Sequence, residues 1–101
     1  MKTIVEVAFQ GKMADEAVKK MGRHFAKDNR GLSIRELRVK LGESESSILH
    51  AIIRLKDDME VMEDKMNYSD IVVVGGKKRV ENTFKIKDEY MPELKAIFLR
   101  Q

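Results

Sequence analysis

The stretch from Leu32 to Ser44 constrains this chain more than any other. Ser33 is followed three residues later by Glu36, the spacing of a capping box. In that motif the serine hydroxyl accepts from the backbone N–H of the third helical residue, and the glutamate reaches back to the serine amide. Leu37 and Leu41 then lie four residues apart, on one face of a short helix, and Gly42 closes it. Ser44 offers a second N-cap, with Glu45 in the first turn where negative charge meets the positive end of the helix dipole. The sequence therefore predicts two short helices held at a steep angle by a tight turn. The second of them is expected to run to about Lys56. Ile48, Ala51, Ile52 and Leu55 fall on its inner face, and Glu45, Ser46, Leu49, His50 and Ile53 point outward.

Before this pair, Val5, Val7 and Phe9 alternate with Glu6 across Thr3 to Phe9, the pattern of a half-buried strand. From Met13 to Asp28 the period changes: Ala14, Val18, Met21 and Phe25 form one helical stripe, with Lys19, Lys20, Arg23 and Lys27 on the flank or solvent face. Asn29-Arg30-Gly31 ends that helix, with Gly31 as the expected left-handed cap. After Asp57-Asp58 the pattern becomes β. Val61 to Met66 and Ile71 to Val74 read as strands joined by a turn at Asn67 to Asp70. Gly75-Gly76 followed by Lys77-Lys78 reads as a hairpin turn, and Arg79 to Ile86 as a third strand with Val80, Phe84 and Ile86 inward. Pro92 suits the first position of a last helix, about 92–100, whose apolar face is Leu94, Ile97 and Phe98.

This order, strand, three helices, hairpin and terminal helix, fits one domain of 101 residues in which 43% hydrophobic content suffices for a single core. The formal charge of +3 is less telling than its distribution. Lys77, Lys78, Arg79, Lys85 and Lys87 cluster around one acid, Glu81, whereas Asp57, Asp58, Glu60, Glu63 and Asp64 form a run with no base. One face is thus suited to phosphate and another repels it. With no cysteine, thiolate metal sites, disulfides and cysteine nucleophiles are excluded, and His24 and His50 supply few nitrogen ligands. The acid run lacks the glycine and spacing of a calcium loop, and Gly75-Gly76-Lys77 lacks the spacer and hydroxyl residue of a phosphate-binding loop. No nucleophile–base–acid order stands out, so no enzyme, metal or cofactor is expected. No apolar run approaches membrane-spanning length and Glu6 interrupts any leader-like core. A small domain without disulfides fits the cytoplasm.

The run Leu32-Ser33-Ile34-Arg35-Glu36-Leu37-Arg38-Val39-Lys40-Leu41-Gly42-Glu43-Ser44, followed by Ser47-Ile48, Ile52, Leu55 and Val61, resembles the helix-turn-helix of bacterial and archaeal winged-helix regulators. The resemblance covers about residues 31–87 and extends to the superfamily, not to a subfamily. It implies an α+β fold: a winged helix-turn-helix with a three-helix core, a β-hairpin wing, an extra N-terminal strand and a C-terminal helix. The helix-turn-helix would occupy about 33–56, the wing about 60–87, and a candidate dimerisation helix 92–100. It further implies a double-stranded DNA-binding transcriptional regulator acting as a homodimer. Ser46, Ser47, Leu49 and His50 would then read the major groove, Lys77, Lys78 and Arg79 at the wing tip would hold phosphate, and Arg35, Arg38 and Lys40 would position the backbone.

Several residues depart from that pattern. Glu43 and Glu45 carry the wrong sign for phosphate, and Leu49 and Ile53 are apolar where such readers carry polar side chains. Leu49 and Ile53 fit thymine methyls, a partner chain or the long hairpin folded back over the helix, and the alternative functions are a winged-helix protein-interaction module or a replication or partition factor. His24 reads as structural. The seven methionines, Met59, Met62 and Met66 among them, read as core filler or as an apolar patch beside Leu49 and Ile53.

Overall fold

Residues 3–11, 14–56, 72–78 and 81–99 are described by the computed structural model. Among them the order is α1 (Ile4–Gln10), α2 (Glu16–Lys27), α3 (Ile34–Leu41), α4 (Glu45–Lys56), β1 (Val72–Lys78), β2 (Glu81–Ile86), a short 3-10 turn at Asp88–Tyr90, and α5 (Met91–Phe98). The protein is α+β, five α-helices and a two-stranded antiparallel hairpin among the described residues. The expected strand Val61 to Met66, the turn Asn67 to Asp70, the acid run and Met59, Met62 and Met66 lie outside them, as do Ile71, Arg79 and Val80.

Two boundary expectations are corrected by capping. The helix expected from Met13 starts at Glu16, because the Asp15 carboxylate accepts from the Val18 amide at 2.9 Å. It ends at Lys27 with Asp28 extended, and positive φ occurs at Gly42 and Gly76 rather than at Gly31. The α3–α4 pair follows the local signals. Ser33 and Glu36 exchange both capping-box bonds, at 3.2 Å each. Gly42 closes α3 at φ 64°, ψ 33°, a left-handed conformation that costs a residue with a Cβ about 1–2 kcal/mol. Ser44 Oγ accepts from the Ser47 amide at 3.2 Å and so starts α4.

The expected N-terminal strand is a helix. Thr3 caps α1 by accepting from the Glu6 amide at 3.1 Å, and Val5, Ala8 and Phe9 are buried. The alternation of Val5, Val7 and Phe9 hid a second pattern, Val5, Ala8 and Phe9, which is a helical stripe. Burial decides between them, because a stripe at this spacing faces α2 and α5, both of which α1 contacts. The α5 helix runs Met91–Phe98 rather than to Arg100, buries Leu94 and sets Phe98 edge-on to Phe9, with ring centroids 5.9 Å apart and planes at 88°.

The hairpin also differs. Gly75-Gly76 is not its turn. β1 pairs with β2 from Val72↔Ile86 to Lys78↔Glu81, and the register shifts between Val74 and Gly76. The two glycines form a β-bulge, with Gly76 at φ 130° and its carbonyl accepting from Thr83 Oγ1 at 3.1 Å. Lys77 and Lys78 are the last two residues of β1, and Lys78↔Glu81 is the last described pair of the hairpin. The other edge of β2 is covered by the link between α2 and α3. Leu32 and Phe84 exchange backbone bonds of 3.0 and 2.8 Å, and the Asn29 amide both donates to the Ile86 carbonyl (2.8 Å) and accepts from its N–H (2.9 Å). Unpaired strand edges are costly or adhesive, and this loop closes one. The core lies between the helices and the inner face of the hairpin. It contains Phe9, Met21, Phe25, Leu37, Ile48, Leu55, Ile86 and Leu94, all fully buried. Side chains of this kind each contribute about 1.5–3 kcal/mol by leaving water.

Candidate functional site

The outward face of α4 is open. Glu45, Ser46, Leu49, His50 and Ile53 line a shallow groove of about 630 Å³, with Leu49 38% and Ile53 51% exposed. These are the positions that helical spacing placed outward. Ser47 is half-buried and shares a hydroxyl contact of 3.0 Å with Ser44, so its side chain helps cap α4.

A second groove, of about 380 Å³, opens at Glu45 and runs between α3, the start of α4 and β2. Ile34, Arg35, Arg38, Glu45, Glu81, Asn82 and Phe84 line it. Here α3 brings Arg35 and Arg38 together, one turn apart. Arg35 Nη2 is 3.0 Å from Glu81 Oε1, and Arg38 Nη1 is 3.9 Å from Glu45 Oε2. The first pair is 78% and 40% exposed, which leaves it in high dielectric. Such pairs contribute about 0.2–1 kcal/mol. Lys40 is not part of this cluster. It is exposed, and its charge, with that of Lys27, disfavours protonation of His24 on α2. Desolvation is the larger cause holding the His24 pKa below its ordinary value, and Asp28 opposes it.

Beyond Asn82 the surface reaches β1, since Asn82 pairs with the exposed Lys77 and Glu81 with Lys78. Arg79 lies outside the described residues. The two glutamates of the wrong sign are both engaged by cations: Glu43 with Lys20 at 2.8 Å, Glu45 with Arg38. Sequence reasoning missed Glu81 as a partner of α3, because a contact across 46 positions leaves no local trace. It read Asn29 only as part of a helix end, without its bonds to Ile86, and gave no role to Arg54, which is only 5% exposed on the inner flank of α4. The helical period does carry a signal for Arg54, three residues after the buried Ala51.

Among the described residues, no group of three histidine or carboxylate side chains gathers to hold a metal, and no helix is long and apolar enough to cross a membrane. The fold and these two grooves define a small α+β domain with an exposed helix face beside a pair of arginines. In comparisons with protein-family models, curated proteins and solved structures, nothing matches this chain.

Proposed function

We propose that this chain is a winged helix-turn-helix protein that binds double-stranded DNA, as a homodimeric transcriptional regulator. The observation that carries this reading is one continuous surface. It runs from the open face of α4 (Ser46, Leu49, His50), across Glu45 to Arg38 and Arg35, and past Asn82 to Lys77. A helix face enters a major groove, and cations on either side of it meet the flanking phosphates. In this reading α4 meets base edges through Ser46 and His50 and thymine methyls through Leu49. Arg35 and Arg38 hold one stretch of backbone, and Lys77, Lys78 and Arg79 hold another. The bridge between Leu32 and Phe84 supports the same fold, since it seats the hairpin directly against the segment entering α3.

The test is a titration of fluorescent random-sequence duplex at two salt concentrations, beside a Lys77→Glu/Lys78→Glu variant. Salt-sensitive binding that the variant loses supports the reading. No binding at low salt overturns it.

A second reading, a protein-interaction module, is favoured by one observation: Leu49 and Ile53 are large, apolar and exposed on the same groove. In that case the charge-reversal variant retains partner binding, and Leu49→Asp/Ile53→Asp abolishes it.

A further inference from the structure

The groove between α3, the start of α4 and β2 carries its own counter-charges. Arg35 and Arg38 both stand on α3, while their partners come from two other elements: Glu81 is the first residue of β2 and Glu45 the first of α4. Neither carboxylate is buried, so neither ion pair is locked by its surroundings. Ile34 and Phe84 add apolar wall and Asn82 an amide. The groove is thus a bay with two guanidinium groups whose charge is cancelled from within.

We propose that this bay seats a backbone phosphate of duplex DNA, with Glu81 and Glu45 as resident counter-anions that yield the arginines to the phosphate and thereby limit affinity. The inference rests on the DNA-binding reading and assigns to that site two residues it does not otherwise use. A phosphate matches the planar guanidinium fork as well as a carboxylate does, so the arginine loses little in the exchange. Seating the phosphate also releases condensed counterions from the duplex, which the carboxylate cannot do. The displaced glutamate is the cost: it stays negative beside the DNA backbone. Glu81 is also paired with Lys78 in the last described pair of the hairpin, so its contact with Arg35 ties that end of the hairpin to α3. The exchange frees the hairpin end to settle on the backbone.

A double-mutant cycle tests this. Wild type, Glu81→Gln, Arg35→Gln and the double variant are titrated against one duplex at one low salt concentration by fluorescence anisotropy. Both substitutions lie at exposed or half-exposed side chains, and circular dichroism verifies that each protein is folded. The expected result is about two- to fivefold tighter binding for Glu81→Gln, the size of one exposed ion pair. In the Arg35→Gln background the same change has a smaller effect, because it relieves only the repulsion between Glu81 and the DNA backbone and Arg35 is no longer there to be released. Equal tightening in both backgrounds overturns the proposal, since Glu81 then acts only as a repulsive charge. Wild-type binding with no effect of Glu81→Gln also overturns it and leaves the DNA reading standing. Failure of all four proteins to bind overturns both. The cycle of Glu45→Gln with Arg38→Gln repeats the test at the second pair.

Discussion

Gly22 sits where α2 passes closest to the aromatic pair at the chain ends. A Cβ at this position would stand 2.5 Å from Phe98 Cε2 and 2.7 Å from Phe9 Cδ1. Alanine would gain about 1 kcal/mol in helix propensity, but overpacking a filled core costs about 1–3 kcal/mol. The rings are fixed against each other edge-to-face, so the clash should win: Gly22→Ala is expected to lose about 1 kcal/mol net in urea unfolding, and Phe98→Leu in the same chain to recover part of it. His24 makes a second prediction at this scale. Its pKa in the folded protein is lowered, chiefly by burial and further by Lys40 and Lys27. The unfolded chain, with histidine near its ordinary value of about 6.5, therefore takes up the proton first as pH falls. The contribution of His24 to stability is complete above about pH 6.5 and declines below it. Urea midpoints at pH 7.5 and 5.5 should differ less in His24→Gln than in wild type. An equal loss in both would assign the pH dependence to other groups.

At the scale of elements, the link from α2 to α3 does more than connect. Asn29 and Leu32 act as one side of a third strand, covering the edge of β2 at Ile86 and Phe84. Asn29→Ala leaves an N–H and a carbonyl of Ile86 without those partners. It is expected to destabilise by about 1–3 kcal/mol, the cost of unmet buried backbone groups, with hydrogen-exchange protection lost first at Ile86. Ser33→Ala should cost about 1 kcal/mol through the capping box. The capping box was legible because its partners lie three residues apart. The Asn29 clamp was not, because its partner is Ile86, 57 positions away. The Gly75-Gly76 pair was misplaced for a related reason. Two glycines mark a departure from regular strand geometry, but whether that is a turn or a bulge depends on the strand opposite. Val74↔Phe84 and Gly76↔Thr83 make it a bulge.

Across the whole molecule, α5 is tied to the core at two points: Leu94 is buried, and Phe98, partly buried, meets Phe9 edge-on. Removing α5's core contact with Leu94→Ala should then cost about 2–5 kcal/mol in monomer stability, measured by urea unfolding at several protein concentrations. A wild-type midpoint that shifts with concentration would show that folding is coupled to association. On the DNA reading, each phosphate contact adds about 0.9 to the slope of log affinity against log salt. Lys77→Glu/Lys78→Glu should therefore reduce that slope by about 2 as well as weaken binding. An unchanged slope would place the contact elsewhere on the surface.

Local chemistry determined α3, its turn and the start of α4 from the sequence alone. The capping serines, the left-handed Gly42 and the four-residue spacing of Leu37 and Leu41 act within a few residues, so reading them needs no knowledge of neighbours. The same spacing placed Leu49, His50 and Ile53 outward. Tertiary structure decided the rest. Residues 4–10 satisfy a strand pattern and a helix pattern at once, and their packing on α2 and α5 selects the helix. The register of β1 on β2 turned two glycines into a bulge and placed two lysines within the strand. The meeting of Arg35 with Glu81 depends on α3 and β2 converging, a long-range outcome that the order of residues encodes only through the fold.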